Sequence, residues 1–196
     1  MNIIRKVGGN TMAKVYIFLA DGFEEIEALT VVDLLRRAGI EIHMVAVSGD
    51  LLVTGAHQIR VTADALFENV DFSDADLLVL PGGMPGTTRL MEHKGLDKVL
   101  RKFNSKDKTI AAICAAPSVL GNKGILEGKC ATCYPGFEDK LSGSSIVNED
   151  VVEDGNIITS RGLGTAIDFS LSIIRRLLNN DRAKTIGAQI IYKHYQ

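Results

Sequence analysis

Short apolar, β-rich runs alternate along this chain with stretches of helical periodicity, and that alternation is the strongest constraint on its fold. Lys14–Ala20 (KVYIFLA) is the first such run, and Asp21-Gly22 breaks it. From Glu24 to Ala38 the residues Ile26, Leu29, Val32, Leu35 and Ala38 recur every three positions, and Gly39 closes the stretch, which predicts an amphipathic helix. Ile42–Val47, Asp76–Leu80 (DLLVL), Thr109–Ile113 (TIAAI) and Asn156–Ser160 predict further strands, with a shorter one at Lys129–Thr132. Leu96–Phe103, Ala115–Asn122, Ala166–Leu178 and Asp181–Tyr192 predict helices. Leu52–Thr62 alternates like an antiparallel ribbon, and the acidic NEDVVEDGN (148–156) reads as a solvated loop ending in a hairpin turn at Asp154-Gly155. Apolar strands separated by amphipathic helices mean βαβ units, hence an α/β fold: a mostly parallel central sheet with helices on both faces.

In such a sheet the working crevice lies at the carboxyl ends of the strands. Asp21–Glu27, Pro81–Gly86 and Cys114 all fall there. Three distant segments are therefore expected to converge on one edge.

The chain has 196 residues, enough for one sizeable domain. Residues 1–12 read as a mobile extension before a domain over 13–196. A formal net charge of −2 offers no basic field for nucleic acid or anionic membrane, and no apolar run approaches the ~20 residues that span a bilayer. The opening MNIIRKVGGNTMAKVY lacks the apolar core of a secretory signal. Cys114, Cys130 and Cys133 are an odd number of cysteines, which fits reduced thiols and a cytoplasmic location better than a disulfide scaffold. Cys130-Ala131-Thr132-Cys133 is formally a CxxC. It lies in a β-like segment instead of at a helix start, where such pairs gain acidity. With no second CxxC and no clustered histidines, no metal site is expected.

Cys114 sits where the TIAAI run meets the next predicted helix, among alanines: AAICAAPSVLGNKG (111–124). A side chain on a sharp strand-to-helix turn projects clear of the sheet, which is the logic of a nucleophile elbow with sulfur in place of oxygen. The helix start is expected to lower the thiol pKa well below its ordinary value. A cysteine ending a buried strand can also be simply a small hydrophobe. The glycines of Pro81-Gly82-Gly83 allow close backbone approach, so N–H groups of Gly83 and Ala115 are candidate donors to a developing oxyanion. Glu24, Glu25 and Glu27 open the first helix. The helix dipole alone accounts for Glu24 and Glu25. Glu27 is expected to face the strand ends, as a protonated carboxyl donating to the thiolate.

ADGFEEIEA, LPGGMPG and AAICAAP, in this order and at these separations, resemble the ThiJ/PfpI superfamily, most closely the ThiJ-like branch that contains the parkinsonism-associated deglycase. The likeness runs from Lys14 to Leu178. It implies a flavodoxin-like three-layer α/β sandwich, a homodimer, Cys114 as the reactive cysteine, Glu27 as the carboxyl beside it, and Gly83 and Ala115 as backbone donors. Two positions depart from the pattern. The PfpI protease branch has histidine after the nucleophile, where this chain has Ala115. The deglycase has a histidine just before a proline near the cysteine, and Tyr134 of Thr132-Cys133-Tyr134-Pro135 takes that position here. Tyr134 and His57, the latter reaching in from the ribbon, are the accessory candidates.

The resemblance implies a cofactor-independent enzyme acting on reactive aldehydes or glycated groups, a protein deglycase or glutathione-independent glyoxalase, with Cys114 as nucleophile and Glu27 as acid/base. The alternative is an oxidative-stress sensor or chaperone-like protein in which oxidation of Cys114 is the event. An intracellular cysteine peptidase is disfavoured by Ala115. A thiamine-biosynthetic role is disfavoured because no phosphate-binding loop or GxGxxG is present.

Overall fold

The computed structural model describes residues 12–194. Of the extension expected at residues 1–12, all but Met12 lies outside the described residues. The elements run β1 (Lys14–Leu19), α1 (Glu25–Arg37), β2 (Glu41–Ala46), β3 (Leu52–Thr54), β4 (Arg60–Thr62), β5 (Ala65–Leu66), β6 (Leu77–Leu80), α2 (Gly86–Glu92), α3 (Lys94–Ser105), β7 (Thr109–Ile113), α4 (Pro117–Asn122), β8 (Cys130–Ala131), β9 (Ser145–Ile146), β10 (Val151–Asp154), β11 (Ile157–Ser160), α5 (Ala166–Leu177) and α6 (Asn180–Gln189).

Seven strands form the central sheet in the order β10-β11-β7-β6-β1-β2-β5. All neighbours are parallel except β10, which runs antiparallel to β11 at the edge. Ignoring the edge strands, the parallel order is that of a flavodoxin-like α/β fold, whose order reverses between β1 and β6. The two faces follow from the two-residue period of a strand. Val15, Ile17 and Leu19 of β1 point into a core shared with α1, α5 and α6, while Tyr16, Phe18 and Ala20 point into a second core under α2, α3 and α4. β6 and β7 divide in the same way: Leu77, Val79, Ala111 and Ile113 face the first core, and Leu78, Leu80, Ile110 and Ala112 the second. Both faces are covered, so these strands read as continuous apolar runs.

Several sequence expectations change in detail. Helix α2 was not foreseen, because only Gly86, Thr87 and Leu90 of its seven residues are buried and no apolar period marks it. The acidic segment expected as a loop supplies β10, an edge strand whose Glu153 pairs with Arg175 and Arg176 of α5, and the turn at Asp154-Gly155 forms as expected with Gly155 at φ 59°. The expected strand at Lys129–Thr132 is two residues long and pairs with β9 outside the main sheet. The ribbon over 52–62 forms as the antiparallel pair β3–β4. Ile26, expected on the buried stripe of α1, is 47% exposed. Among the described residues no helix is long and apolar enough to cross a membrane.

Candidate active site

Three loops meet at the carboxyl end of the sheet, beside the point where strand order reverses. The loop after β1 brings Glu24 and the first turn of α1 brings Glu27, the loop after β6 brings Gly82 and Gly83, and the end of β7 brings Cys114. Cys114 adopts φ 65°, a left-handed backbone that a non-glycine residue takes only where the surroundings impose it. The imposing bonds are visible. The Cys114 N–H donates to Ser160 O at 2.9 Å, the Cys114 carbonyl accepts from Tyr134 N at 2.8 Å, and Ala116 N–H closes the turn on Ile113 O at 3.0 Å. The side chain is thrust out of the sheet as an elbow, half-buried and unpaired with any other cysteine.

Glu27 lies one position beyond the exposed face of α1 and is 1% exposed. Its Oε2 accepts the Gly82 N–H at 2.9 Å, and its carboxyl hydrogen-bonds the Cys114 side chain. Backbone N–H groups of Ala115 and Gly83 point at the same sulfur. The four residues expected to meet, Cys114, Glu27, Gly83 and Ala115, are thus brought together. Glycine is needed twice for this. A Cβ on Gly82 would lie 2.6 Å from both Cys114 Cβ and Glu27 Oε2, and one on Gly83, at φ 89°, would lie 2.3 Å from the Glu24 nitrogen.

The electrostatics depart from the expectation of an acidic thiol. Burial, then the Glu27 charge, then the hydrogen bond to Glu27 push the Cys114 thiol up from 9.0 to about 12, against the two N–H donors. Helix α4 has only six residues and starts at Pro117, three positions past the cysteine, so its terminus is in no position to reverse this. Burial chiefly, with the Glu24 charge, raises Glu27 from 4.5 to about 7, while the bonds from Cys114 and Gly82 hold it down. Burial and like charge thus raise both groups, and the two titrate as one coupled pair. That both are raised departs from the expected picture of an acidic thiolate beside a protonated carboxyl.

Tyr134 is 51% exposed. Its ring lies over Gly162, where a Cβ would meet Tyr134 Cδ2 at 3.3 Å and Glu27 Oε1 at 3.8 Å. It borders the site, with no hydrogen bond from its hydroxyl among the described residues. His57 is held elsewhere: its backbone N–H and ring Nδ1 bond Glu25 at 2.8 and 3.0 Å, and 71% of its side chain is exposed. The structure ties it to the rim instead of bringing it to the sulfur.

Glu24 and Glu25 do more than serve the helix dipole. Glu24 caps α1, accepting the Glu27 N–H at 2.7 Å. Glu25, 1% exposed, holds the β3–β4 hairpin onto the site loop through His57 and Ile59. Glu24, Glu25 and His57 are the described residues whose ligand atoms approach one another closely enough, within 4.8 Å, to hold a cation, but both carboxylates are engaged by backbone N–H groups. The end of β11 also belongs to the site through Ser160 O, with Gly162 just beyond it. Its signal was available, since it too ends a parallel strand. A cavity of about 160 Å³ lined by Val70, Phe72, Val99 and Phe103 lies away from the site, beside Lys108 at the amino end of β7.

Comparison with known proteins places the chain in a family. The model of the DJ-1/PfpI family matches residues 13–176. Protein DJ-1 homolog B of Arabidopsis thaliana is 39% identical over 182 residues, which cover 92% of this chain and 42% of that protein. The chain therefore spans less than half the length of this plant relative. A deglycase of Pyrococcus abyssi is 37% identical over 167 residues, 84% of this chain and 99% of that protein. The structure of oxidised Toxoplasma gondii DJ-1 superposes with a TM-score of 0.90 at 37% identity, covering 93% of this chain and 100% of that one.

Proposed function

The chain belongs to the DJ-1/PfpI family, and from that premise we propose that it is a cofactor-independent enzyme that acts on reactive aldehydes, as a protein deglycase or a glutathione-independent glyoxalase. The observation that carries the reading is the Glu27 carboxyl hydrogen-bonded to a Cys114 thiol that two backbone N–H groups also face. The name of the Pyrococcus relative supports the reaction class.

With a 2-oxoaldehyde such as methylglyoxal, Cys114 sulfur attacks the aldehyde carbon as Glu27 takes the thiol proton. A C–S bond forms, and the C=O π pair moves to oxygen, where the Gly83 and Ala115 N–H groups stabilise it. Glu27 returns the proton to that oxygen, giving a hemithioacetal. Glu27 then removes the proton on the same carbon and delivers it to the neighbouring carbonyl carbon through an enediol. One carbon is oxidised and its neighbour reduced, so no external oxidant is needed. The product is a thioester, and water hydrolyses it to lactate and free Cys114. On a glycated group Cys114 sulfur displaces the amine or thiol from the carbinol carbon: a C–S bond forms as the bond to the modified group breaks, and Glu27 passes the Cys114 thiol proton to the departing amine or thiol, leaving the same hemithioacetal. Tyr134 forms one wall over Gly162 without carrying the proton.

The test is steady-state lactate production from methylglyoxal in the absence of glutathione. The wild-type chain should turn over and Cys114→Ala should not. Equal rates in the two would overturn the proposal.

The oxidative-sensor reading draws on the same half-exposed thiol, since the two N–H donors would also hold an oxygen added to sulfur by a peroxide. Intact-mass analysis after peroxide treatment separates it, by asking whether function survives the added oxygen.

We also propose that the chain pairs with itself in a cytoplasmic setting. Ile26 of α1, together with Leu52 and Ile59 of the hairpin region, is 45–51% exposed, leaving apolar surface beyond what one core uses.

A further inference from the structure

Three hydrogen bonds close a ring around the base. Glu24 N–H donates to Gly82 O at 2.9 Å, Gly82 N–H donates to Glu27 Oε2 at 2.9 Å, and Glu27 N–H donates to Glu24 Oε2 at 2.7 Å. Each of the three residues donates once and accepts once, so moving any one of them moves the other two. The ring fixes Glu27 at both ends, its backbone through Glu24 and its carboxyl through Gly82. Gly83 packs against the Glu24 nitrogen so tightly that no Cβ fits.

The identity of the cap is itself informative. Serine, threonine, aspartate and asparagine are the preferred helix caps, and a long glutamate loses more side-chain freedom in that position. Glu24 is only 8% exposed. Its second oxygen, Oε1, lies 3.9 Å from His57 Nδ1, at ion-pair distance but too far for a hydrogen bond, with 71% of the His57 side chain exposed. A neutral cap would satisfy the Glu27 N–H equally well. A carboxylate adds a buried negative charge next to the carboxyl that must act as base.

We propose that Glu24 is a positioning residue for the proposed reaction, holding the Glu27 carboxyl on the Cys114 sulfur through this ring and setting, by its charge, the pH at which Glu27 becomes a base. The proposal rests on the reading of Glu27 as acid/base. The groups that face Glu27 are Cys114 from the β7–α4 turn, Glu24 from the cap of its own helix, the Gly82 N–H from the end of β6 and the Tyr134 ring across Gly162. His57 and Glu25 stand behind Glu24. The direction of the effect follows from like charges: the Glu24 charge disfavours ionised Glu27, in accord with its raised titration.

The experiment follows the Glu27 carboxyl directly, by carbon-13 NMR of the full chain labelled at glutamate, with Glu27→Gln identifying the signal. Glu24→Gln keeps an oxygen that accepts the Glu27 N–H and removes the charge. It should lower the Glu27 titration midpoint by about one pH unit and shift the acid limb of the methylglyoxal pH–rate profile down by the same amount. Glu24→Ala removes acceptor and charge together and should lower kcat about tenfold or more at every pH, a loss that Glu24→Gln recovers in part. An unmoved Glu27 midpoint in Glu24→Gln overturns the proposal. A midpoint that moves in a chain showing no Cys114-dependent turnover supports the control of Glu27 by Glu24 and overturns the aldehyde reaction, so the two readings fail separately.

Discussion

Gly82→Ala adds one methyl group at the centre of the candidate site and asks whether the contact between Glu27 and Cys114 is what makes the site work. Gly82 does not hold a positive φ, so alanine meets no backbone penalty there, and the whole effect is steric. The new Cβ would stand 2.6 Å from Cys114 Cβ, 2.6 Å from Glu27 Oε2 and 3.0 Å from Cys114 Sγ. Ordinary contacts between such atoms are about 3.5–4.0 Å, so the carboxyl and the sulfur must move apart by roughly an ångström. Overpacking of this kind costs about 1–3 kcal/mol, which for a chain of this size lowers Tm by roughly 2–12 °C. Loss of a positioned acid/base costs about 10²–10⁴ in turnover. Lactate formation from methylglyoxal and a thermal melt measure the two effects on one preparation. Gly164→Ala is the control, since its Cβ would meet nothing within 4 Å. A Gly82→Ala chain that melts with the wild type and keeps full turnover would refute both the packing and the proposed role of the Glu27–Cys114 pair.

Stability should respond to pH through Glu27. Its folded pKa is raised from 4.5 to about 7, so the folded chain holds a proton that the unfolded chain releases. That contribution, up to about 3 kcal/mol, is present in full below about 4.5 and is lost as pH rises through about 7. Glu27→Gln should flatten this part of a denaturation series between pH 5 and 8, and an unchanged slope would argue against a buried, raised Glu27. Turnover runs the opposite way, rising through about pH 7 as Glu27 becomes a base, and a rate that falls there would sink the base assignment. Tyr134→Phe should change turnover by less than about threefold, because its hydroxyl bonds nothing among the described residues; a hundredfold loss would make it a proton carrier. Sedimentation at micromolar concentration should show a dimer that Ile26→Glu converts to monomer, whereas a single 21.2 kDa species in the wild type would defeat self-pairing. Cys133, 3% exposed and pushed up to about 11 by burial, should be the last thiol alkylated under native conditions, and early labelling would contradict its burial.

Local chemistry is written directly in the chain, and tertiary contacts are not. KVYIFLA, DLLVL and TIAAI declare themselves as two-sided buried strands because every second residue of each must enter a different apolar core, and the breaks after them place Glu27, Gly83 and Cys114 at one sheet edge by topology alone. Helix α2 and strand β10 stayed hidden, since one buries too few side chains to show a period and the other is an acidic edge. The roles of the three glutamates were legible only in part. Spacing singled out Glu27, but Glu24 and Glu25 looked like interchangeable dipole partners until folding turned one into the third member of a hydrogen-bonded ring and the other into the anchor of a distant hairpin. The thiol shows the limit most clearly. Sequence alone singled out Cys114 as the candidate nucleophile and Glu27 as the carboxyl near it. The tertiary structure decided which way the thiol shifts, because desolvation and a like charge act through space, and here they outweigh the two backbone N–H donors.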